Sequence, residues 1–195
     1  MLKERLKNYN LILASASPRR QQFFKDLDLD FEIQLKPVIE EYPKSLRHFE
    51  ISDYLAQLKS LPFKETLQDQ DILVTSDTIV WHNEHAIGKP RDKAEAFQII
   101  KNLSGATHEV ITSVCFTTKT TQKTVSAITK VTFKGLQDLE IQYYLDHFKP
   151  YDKAGAYGIQ DWIGYVAITK IEGSYYNVMG LPVHLVYETL MEITN

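Results

Sequence analysis

The sequence predicts an α/β fold with a mixed sheet. Short apolar or β-branched runs alternate with segments whose apolar residues recur at helical spacing, and this alternation is typical of α/β proteins. Hairpins interrupt it at two places: Asn83 and Glu84 mark a tight turn, and the polar segment 117–123 separates two long β-branched runs. Strands joined by helices and strands joined by hairpins therefore share one sheet.

The individual elements follow from the same patterns. Ser17 can cap a helix whose first position is Pro18, Gly105 follows a helix where a C-cap is expected, and Pro150 ends another. Strands are predicted at 10–14, 31–35, 71–80, 86–87, 109–116, 124–133 and 164–171. Helices are predicted at 18–27, 49–61, 92–103, 138–148 and 182–193.

Composition excludes several classes of protein. The 195 residues are 44% hydrophobic, which is typical of globular proteins. Their formal net charge of −3 argues against a nucleic acid polymer or an anionic membrane surface as partner. The single cysteine excludes an intramolecular disulfide and a cysteine-based zinc cluster. The apolar run 11–14 after three basic residues imitates a signal peptide but is too short, so a cytoplasmic protein is expected.

The turn at 15–20 is a candidate anion site. Ser15, Ser17, Arg19 and Arg20 cluster where a strand meets a helix, and helix N-terminal N–H groups favour an anion there. Two arginines at this point would make a phosphate cradle. The alternative is an ordinary capped helix with two solvated arginines.

Asp77 is the second candidate, because a carboxylate within the apolar run 72–81 is costly unless it is paired or binds a cation. The alternative is an edge-strand or bulge aspartate. Lys89 follows in a stiff Gly-Lys-Pro turn, and Glu40 supplies a further carboxylate upstream. Taken separately, these residues are weak signals.

The histidines and the cysteine give little indication of chemistry. His82 and His85 are spaced as a zinc pair, but a predicted turn separates them and favours a polar loop. His108 is expected to be a structural hydrogen-bonding residue. Cys115 lies in an apolar strand with no evident base and is interpreted as core.

Six blocks in a fixed order carry a family resemblance. They are 13–20 (LASASPRR), 76–80 (SDTIV), 88–90 (GKP), 103–105 (LSG) with His108 and Thr112, 152–160 (DKAGAYGIQ) and 172–182 (EGSYYNVMGLP). Together they resemble the Maf family of nucleoside triphosphate pyrophosphatases over about residues 10–190. The whole chain, 1–195, is accordingly expected to be one Maf-like domain with two lobes.

The resemblance implies an elongated two-lobed α/β fold similar to the inosine triphosphate pyrophosphatases, with the active site in the cleft between the lobes. It implies hydrolysis of a nucleoside triphosphate to the monophosphate and pyrophosphate, dependent on a divalent metal, Mg²⁺ or Mn²⁺. It also suggests a homodimer and a house-cleaning role for non-standard or pyrimidine nucleotides. The alternative function is a nucleotide-binding regulator of cell division and septum formation without significant turnover.

The resemblance also implies roles for single residues. Asp77 matches the catalytic carboxylate, and Glu40 matches an acidic residue near the metal, for which Asp77 is a second ligand. The phosphate-binding positions are matched by Ser15, Arg19, Arg20, Lys59 and Lys89. Arg19, Thr78 and Gln160 match positions associated with substrate choice, and the Gly-Ile-Gln ending resembles the branch acting on dTTP and UTP rather than on methylated GTP.

The chain departs from the family pattern in three places. Ser76 stands where alanine usually precedes the catalytic aspartate, with little consequence expected, and Ser60 follows Lys59 where alanine is common. Asp161 and Trp162 follow Gln160 where glycine is typical. We expect Asp161 to face solvent, because an unpaired inward carboxylate is disfavoured near a polyanionic substrate.

Overall fold

The computed structural model describes residues 1–195. Its helices are α1 Leu2–Arg5, α2 Pro18–Asp26, α3 Phe49–Ser60, α4 Lys93–Leu103, α5 Asp138–Phe148, α6 Trp162–Ala167, α7 Tyr175–Val178 and α8 Val183–Ile193. Its strands are β1 Asn10–Leu13, β2 Glu32–Ile33, β3 Asp71–His82, β4 His85–Ile87, β5 Thr107–Thr117, β6 Gln122–Phe133 and β7 Ile168–Glu172. None of the helices has the length and apolar composition that a membrane span requires.

The sheet is mixed, as the sequence predicts. Its strand order is β2-β1-β3-β5-β6-β7, with β4 paired to β3. β1 runs parallel to both β2 and β3, whereas β4 is antiparallel to β3 and β7 is antiparallel to β6. The β3–β4 turn holds Asn83 and Glu84 at φ values of 50° and 61°, the left-handed conformation that tight hairpin turns require.

The chain divides into two compact units. Unit 1 comprises 1–77, 112–127 and 180–195, and unit 2 comprises 78–111 and 128–179. Strands β3, β5 and β6 therefore contribute residues to both units. Each unit buries side chains of its own, so the residues proposed for function are positioned separately in each.

In unit 1, helix α3 is fixed to strand β3 by a buried hydroxyl. Thr75 Oγ donates to the carbonyl oxygen of Ala56 at 2.6 Å, and both residues are fully buried. A second cluster lies under β1 and β3, where Ile12 and Leu73 pack with Phe63. These contacts set the position of the last turn of α3 relative to β3.

Unit 2 has a core of its own. Helices α4 and α5 contribute Ile100 and Ile141, and strands β5 and β6 contribute Val110 and Phe133. The segment after α5 joins the same core through Tyr157, whose ring lies edge-on to Phe133 with centroids 5.0 Å apart. The loop that carries Gln160 is thus anchored by apolar packing.

The strand predicted at 164–171 is wrong over its first half. Residues 162–167 form helix α6, and β7 begins only at Ile168. Ile163 and Ala167 are both buried, which is the four-residue spacing of a helix face, and the Gly164 N–H donates to the Asp161 carbonyl oxygen at 2.9 Å. The β-branched residues of this segment predict a strand, but the side chains that the fold buries have the spacing of a helix. Tertiary packing therefore overrides the local β preference.

Two neighbouring hydroxyls on β3 give a stability test with opposite expected signs. Thr75 makes a buried hydrogen bond, whereas the buried Ser76 hydroxyl has no hydrogen-bond partner. Thr75→Val should lower the free energy of unfolding by about 1–3 kcal/mol, and Ser76→Ala should raise it by about 1 kcal/mol, because an unsatisfied buried hydroxyl is costly. Urea denaturation of both variants measures this, and shifts in the same direction would contradict it.

Candidate active site

The turn between β1 and α2 is built as the sequence predicts. Ser17 caps α2 by accepting a hydrogen bond from the Arg20 N–H, and Pro18 occupies the first helical position. Ser15 is 7% exposed, and its hydroxyl accepts from the Ser17 N–H at 3.3 Å. Arg19 is half-buried on the first turn of the helix.

Arg20 is not a solvated surface arginine. Its Nε donates to the carbonyl oxygen of Gly180 at 2.8 Å, and its Nη1 donates to that of Ser76 at 2.8 Å. Burial lowers the pKa of the Arg20 guanidinium, and the charge of Asp77 opposes this shift. Arg20 therefore ties α2 to the residue before Asp77 and to the turn before α8.

Three charged side chains meet at the end of the unit 1 part of β3. The Lys59 Nζ, from the last turn of α3, lies 2.6 Å from Asp77 Oδ1 and 3.2 Å from Glu40 Oε1. The Asp77 side chain is 10% exposed and the Glu40 side chain 51% exposed. The interpretation of Asp77 as a costly carboxylate that needs a cationic partner is confirmed, and the partner is Lys59.

Opposing effects act on the Asp77 carboxyl. Burial raises the pKa of Asp77 above its ordinary value, while the Lys59 ammonium, by charge and by hydrogen bond, and then Arg20 act to lower it. Burial is the largest of these effects, so the net direction is upward. A carboxylate with a raised pKa is a stronger proton acceptor than an exposed one.

The other predicted site residues lie in unit 2. Thr78 is half-buried on β3, and Lys89 is exposed in the turn before α4. The Gly88 carbonyl oxygen beside Lys89 accepts from the Gly155 N–H at 3.1 Å. Arg20, Glu40, Lys59 and Asp77 thus form one charged group in unit 1, and Thr78, Lys89 and Gln160 belong to the other unit.

The expectation that Asp161 faces solvent is wrong. Its Oδ2 accepts a hydrogen bond from the hydroxyl of Tyr144 at 2.8 Å, and Tyr144 is fully buried on α5. An inward carboxylate is disfavoured when it is unpaired, and here the Tyr144 hydroxyl is its partner.

His108 and Cys115 have structural surroundings, as predicted. His108 is 2% exposed and its Nε2 lies 2.8 Å from the Tyr157 hydroxyl. Burial lowers the pKa of His108 to about 3, so the ring is neutral. Cys115 is fully buried in β5.

An open cavity of about 810 Å³ lies against the start of α4. Phe97 and Gln98 line it together with Gln142 from α5. None of the sequence-predicted site residues is among its lining residues. The cavity therefore gives no support to the predicted site.

Comparison with known proteins assigns the chain to a family. The model of the Maf-like proteins matches residues 10–193. The chain belongs to the Maf family. The resemblance seen in the six sequence blocks is confirmed.

Several relatives in the Maf family carry the name dTTP/UTP pyrophosphatase. The protein of that name from Flavobacterium johnsoniae is 62% identical over 97% of this chain and 98% of its own. Those from Flavobacterium psychrophilum and Christiangramia forsetii are 55% and 54% identical over the full length of both chains. Among solved structures, the Staphylococcus aureus Ham1 protein matches 64% of this chain and 71% of its own, with 12% identity and a TM-score of 0.44.

Sequence reasoning missed two features of the site. The carbonyl bonds of Arg20 join residues 160 and 56 positions apart, and no local pattern predicts such pairs. Tyr144 lies within the predicted helix 138–148, and no local pattern marks its hydroxyl as the donor to Asp161.

The Lys59–Asp77 pair predicts a pH-dependent loss of stability. Lys59→Gln leaves the Asp77 carboxylate buried without its ammonium partner, which should lower the free energy of unfolding by about 2–4 kcal/mol at neutral pH. The raised pKa of Asp77 should rise further, so the loss should shrink as the pH falls through it and the carboxyl becomes neutral.

Urea denaturation at several pH values measures this loss. Lys123→Gln is the matched control, since it removes an exposed lysine paired with Glu192 and should change stability by less than about 1 kcal/mol. A loss in Lys59→Gln that does not vary between acid and neutral pH would contradict the account.

Proposed function

We propose that this chain is a nucleoside triphosphate pyrophosphatase that hydrolyses dTTP and UTP to the monophosphate and pyrophosphate. The observation that carries the proposal is the buried Asp77 carboxylate paired with Lys59 beside Arg20. The proposal is also supported by relatives named dTTP/UTP pyrophosphatase, which are 54–62% identical to this chain over nearly its whole length. The substrate is a cytoplasmic metabolite, which agrees with the expected cytoplasmic location.

Asp77 is the proposed base. Burial raises the pKa of its carboxyl, which makes it a better acceptor for the proton of an attacking water. Lys59 keeps the ionised form accessible despite that burial. Cleavage of the α–β linkage needs one water in line with the leaving pyrophosphate, so Asp77 would orient that water as well as take its proton.

The cationic side chains are proposed to bind the phosphates. A nucleoside triphosphate carries about four negative charges, and Arg19, Arg20, Lys59 and Lys89 supply four positive ones, with the Ser15 hydroxyl as a neutral donor. The bonds from Arg20 to two carbonyl oxygens fix its guanidinium before substrate arrives. A fixed donor stabilises developing charge without reorganising, which favours catalysis.

A divalent ion fits the acidic pair. Mg²⁺ is held in proteins by one or two carboxylates together with substrate phosphates, and Asp77 and Glu40 supply two carboxylates that share one lysine. Bound there, Mg²⁺ or Mn²⁺ would offset negative charge on the phosphates and on the leaving pyrophosphate. Asp77 and Glu40 are the proposed ligands, and no third histidine, cysteine or acidic residue joins them.

Gln160 is proposed to read the pyrimidine, together with Thr78 and Arg19. Uracil and thymine present an N3–H donor beside a carbonyl acceptor, and a carboxamide offers the complementary acceptor and donor. Cytosine presents the reverse order, which suits the amide only after a flip. A fixed amide orientation would therefore favour UTP and dTTP over CTP.

A nucleotide panel tests the proposal. Turnover of UTP and dTTP with Mg²⁺ or Mn²⁺ should yield the monophosphate and pyrophosphate in equal amounts, measured by chromatography with a pyrophosphate-specific assay. Orthophosphate and a nucleoside diphosphate as products would refute the assigned bond. Tight binding without turnover would instead favour the regulatory alternative.

Replacing Asp77 by asparagine removes charge and basicity with little change of shape. We expect kcat for UTP to fall by at least ~10²-fold while the melting temperature changes little. Asp71→Asn is the matched control, because Asp71 is an equally buried aspartate at the other end of β3. Activity of Asp77→Asn within a few-fold of the wild type would remove Asp77 from the mechanism.

Removal of the Gln160 amide tests base reading. Gln160→Ala should cost UTP and dTTP about 1–3 kcal/mol in kcat/KM and narrow their lead over CTP, since a lost hydrogen bond to the base affects only the nucleotides that made it. Gln142→Ala, an exposed glutamine on α5, is the control and should leave the ratio unchanged. Equal losses for all three nucleotides would reduce Gln160 to a structural loop residue.

A further inference from the structure

Gln160 occupies a four-residue turn with both ends fixed. The turn runs from Gly158 to Asp161 and is closed by the Asp161 N–H, which donates to the Gly158 carbonyl oxygen at 3.0 Å. Ile159, the second residue, is 5% exposed and belongs to the unit 2 core. Gln160, the third, is half-buried.

One hydroxyl group contacts both ends of this turn. The Tyr144 OH donates to Asp161 Oδ2 at 2.8 Å and accepts from the Gly158 N–H at 3.0 Å. Tyr144 is fully buried on α5, so its ring cannot shift without disturbing the core. We call these three residues, Tyr144, Gly158 and Asp161, the turn clamp.

The direction of the two bonds in the turn clamp is fixed by chemistry. An ionised carboxylate only accepts and a backbone N–H only donates, so the Tyr144 proton points to Asp161 and an oxygen lone pair faces Gly158. Burial, and then the hydrogen bond to Asp161, raise the pKa of Tyr144, which keeps the hydroxyl protonated. Hydrogen bonds in series polarise and strengthen one another.

The side chains of Gln160 and Asp161 both fold over Gly158. A Cβ atom added at Gly158 would lie 2.6 Å from Asp161 Oδ2 and 2.9 Å from Gln160 Nε2. The Gln160 amide and the Asp161 carboxylate are therefore neighbours above one glycine. A substitution in the turn clamp therefore shifts Gly158 and Asp161, the residues beside which the Gln160 amide lies.

We infer that Tyr144 and Asp161 are positioning residues for pyrimidine selection, because they fix the turn from which Gln160 presents its amide. The inference rests on the proposed function, in which Gln160 reads the base. It also gives a role to the Asp161 carboxylate, which accepts from the Tyr144 hydroxyl. Selectivity for uracil or thymine over cytosine depends on which way the amide points, so it depends on the turn clamp.

Three variants with one control test the inference. Tyr144→Phe removes only the hydroxyl, Asp161→Ala removes the carboxylate, and Asp161→Asn keeps an oxygen that can accept from Tyr144. Tyr143→Phe is the control, because it removes the hydroxyl of an exposed tyrosine one position away on the same helix. The readouts are kcat/KM for UTP and CTP, with the melting temperature of each variant.

Tyr144→Phe, which removes both hydrogen bonds of the turn clamp, and Asp161→Ala, which removes one, should each lower the ratio of kcat/KM for UTP to that for CTP by about 5- to 30-fold, the effect of a misplaced hydrogen bond from Gln160 to the base. Asp161→Asn should retain more of the ratio than Asp161→Ala, and Tyr143→Phe should leave it unchanged. Equal losses for both nucleotides, with or without a lower melting temperature, would overturn the inference, because a merely structural role does not distinguish the bases.

Binding separates failure of the inference from failure of the proposed function. Analogues of UTP and CTP with a methylene group in place of the α–β oxygen report base recognition without turnover, and calorimetry gives their Kd. A wild type that binds the UTP analogue more tightly but hydrolyses neither nucleotide would refute the function, and loss of that preference in Tyr144→Phe would still support the inference. Wild-type binding without preference would overturn the inference.

Discussion

The proposed chemistry depends on a single ion pair, the Lys59 ammonium against the buried Asp77 carboxylate at 2.6 Å. Burial makes Asp77 a stronger base but works against its ionised form, and Lys59 compensates for part of that cost. The pair forms because α3 is fixed to β3 by the Thr75 hydroxyl, which places the last turn of the helix beside Asp77. Glu40, at 3.2 Å from the same ammonium, completes a group that suits both a polyanion and a divalent ion.

The proposed catalytic base, Asp77, and the proposed base-reading residue, Gln160, belong to different units. Asp77, Lys59 and Arg20 are positioned by contacts within unit 1, whereas Gln160 is positioned by the turn clamp and the core of unit 2. Substitutions in the turn clamp can therefore change which nucleotide is preferred without altering the catalytic carboxylate, Asp77. The Asp161 carboxylate also has its partner within unit 2, because the Tyr144 hydroxyl donates a hydrogen bond to it.

Sequence patterns predicted the mixed α/β sheet, most helix limits and the need for a partner at Asp77, because these follow from local periodicity and from the cost of a buried charge. They failed at 164–167, where Ile163 and Ala167 form the buried face of a helix, and at Asp161, whose donor lies 17 residues away on another element. The carbonyl bonds of Arg20 were equally beyond local patterns. At Asp161 and Arg20, a contact between residues far apart in the sequence decided the outcome.

The dependence of kcat/KM on pH, measured with UTP for the wild type and for the residual activity of Asp77→Asn, tests the central claim most directly. Since only the ionised carboxylate accepts a proton, the wild-type rate should fall as the pH decreases through the pKa of Asp77. The residual activity of the variant should lack that acid limb. An identical acid limb in both proteins would contradict the assignment of Asp77 as the base.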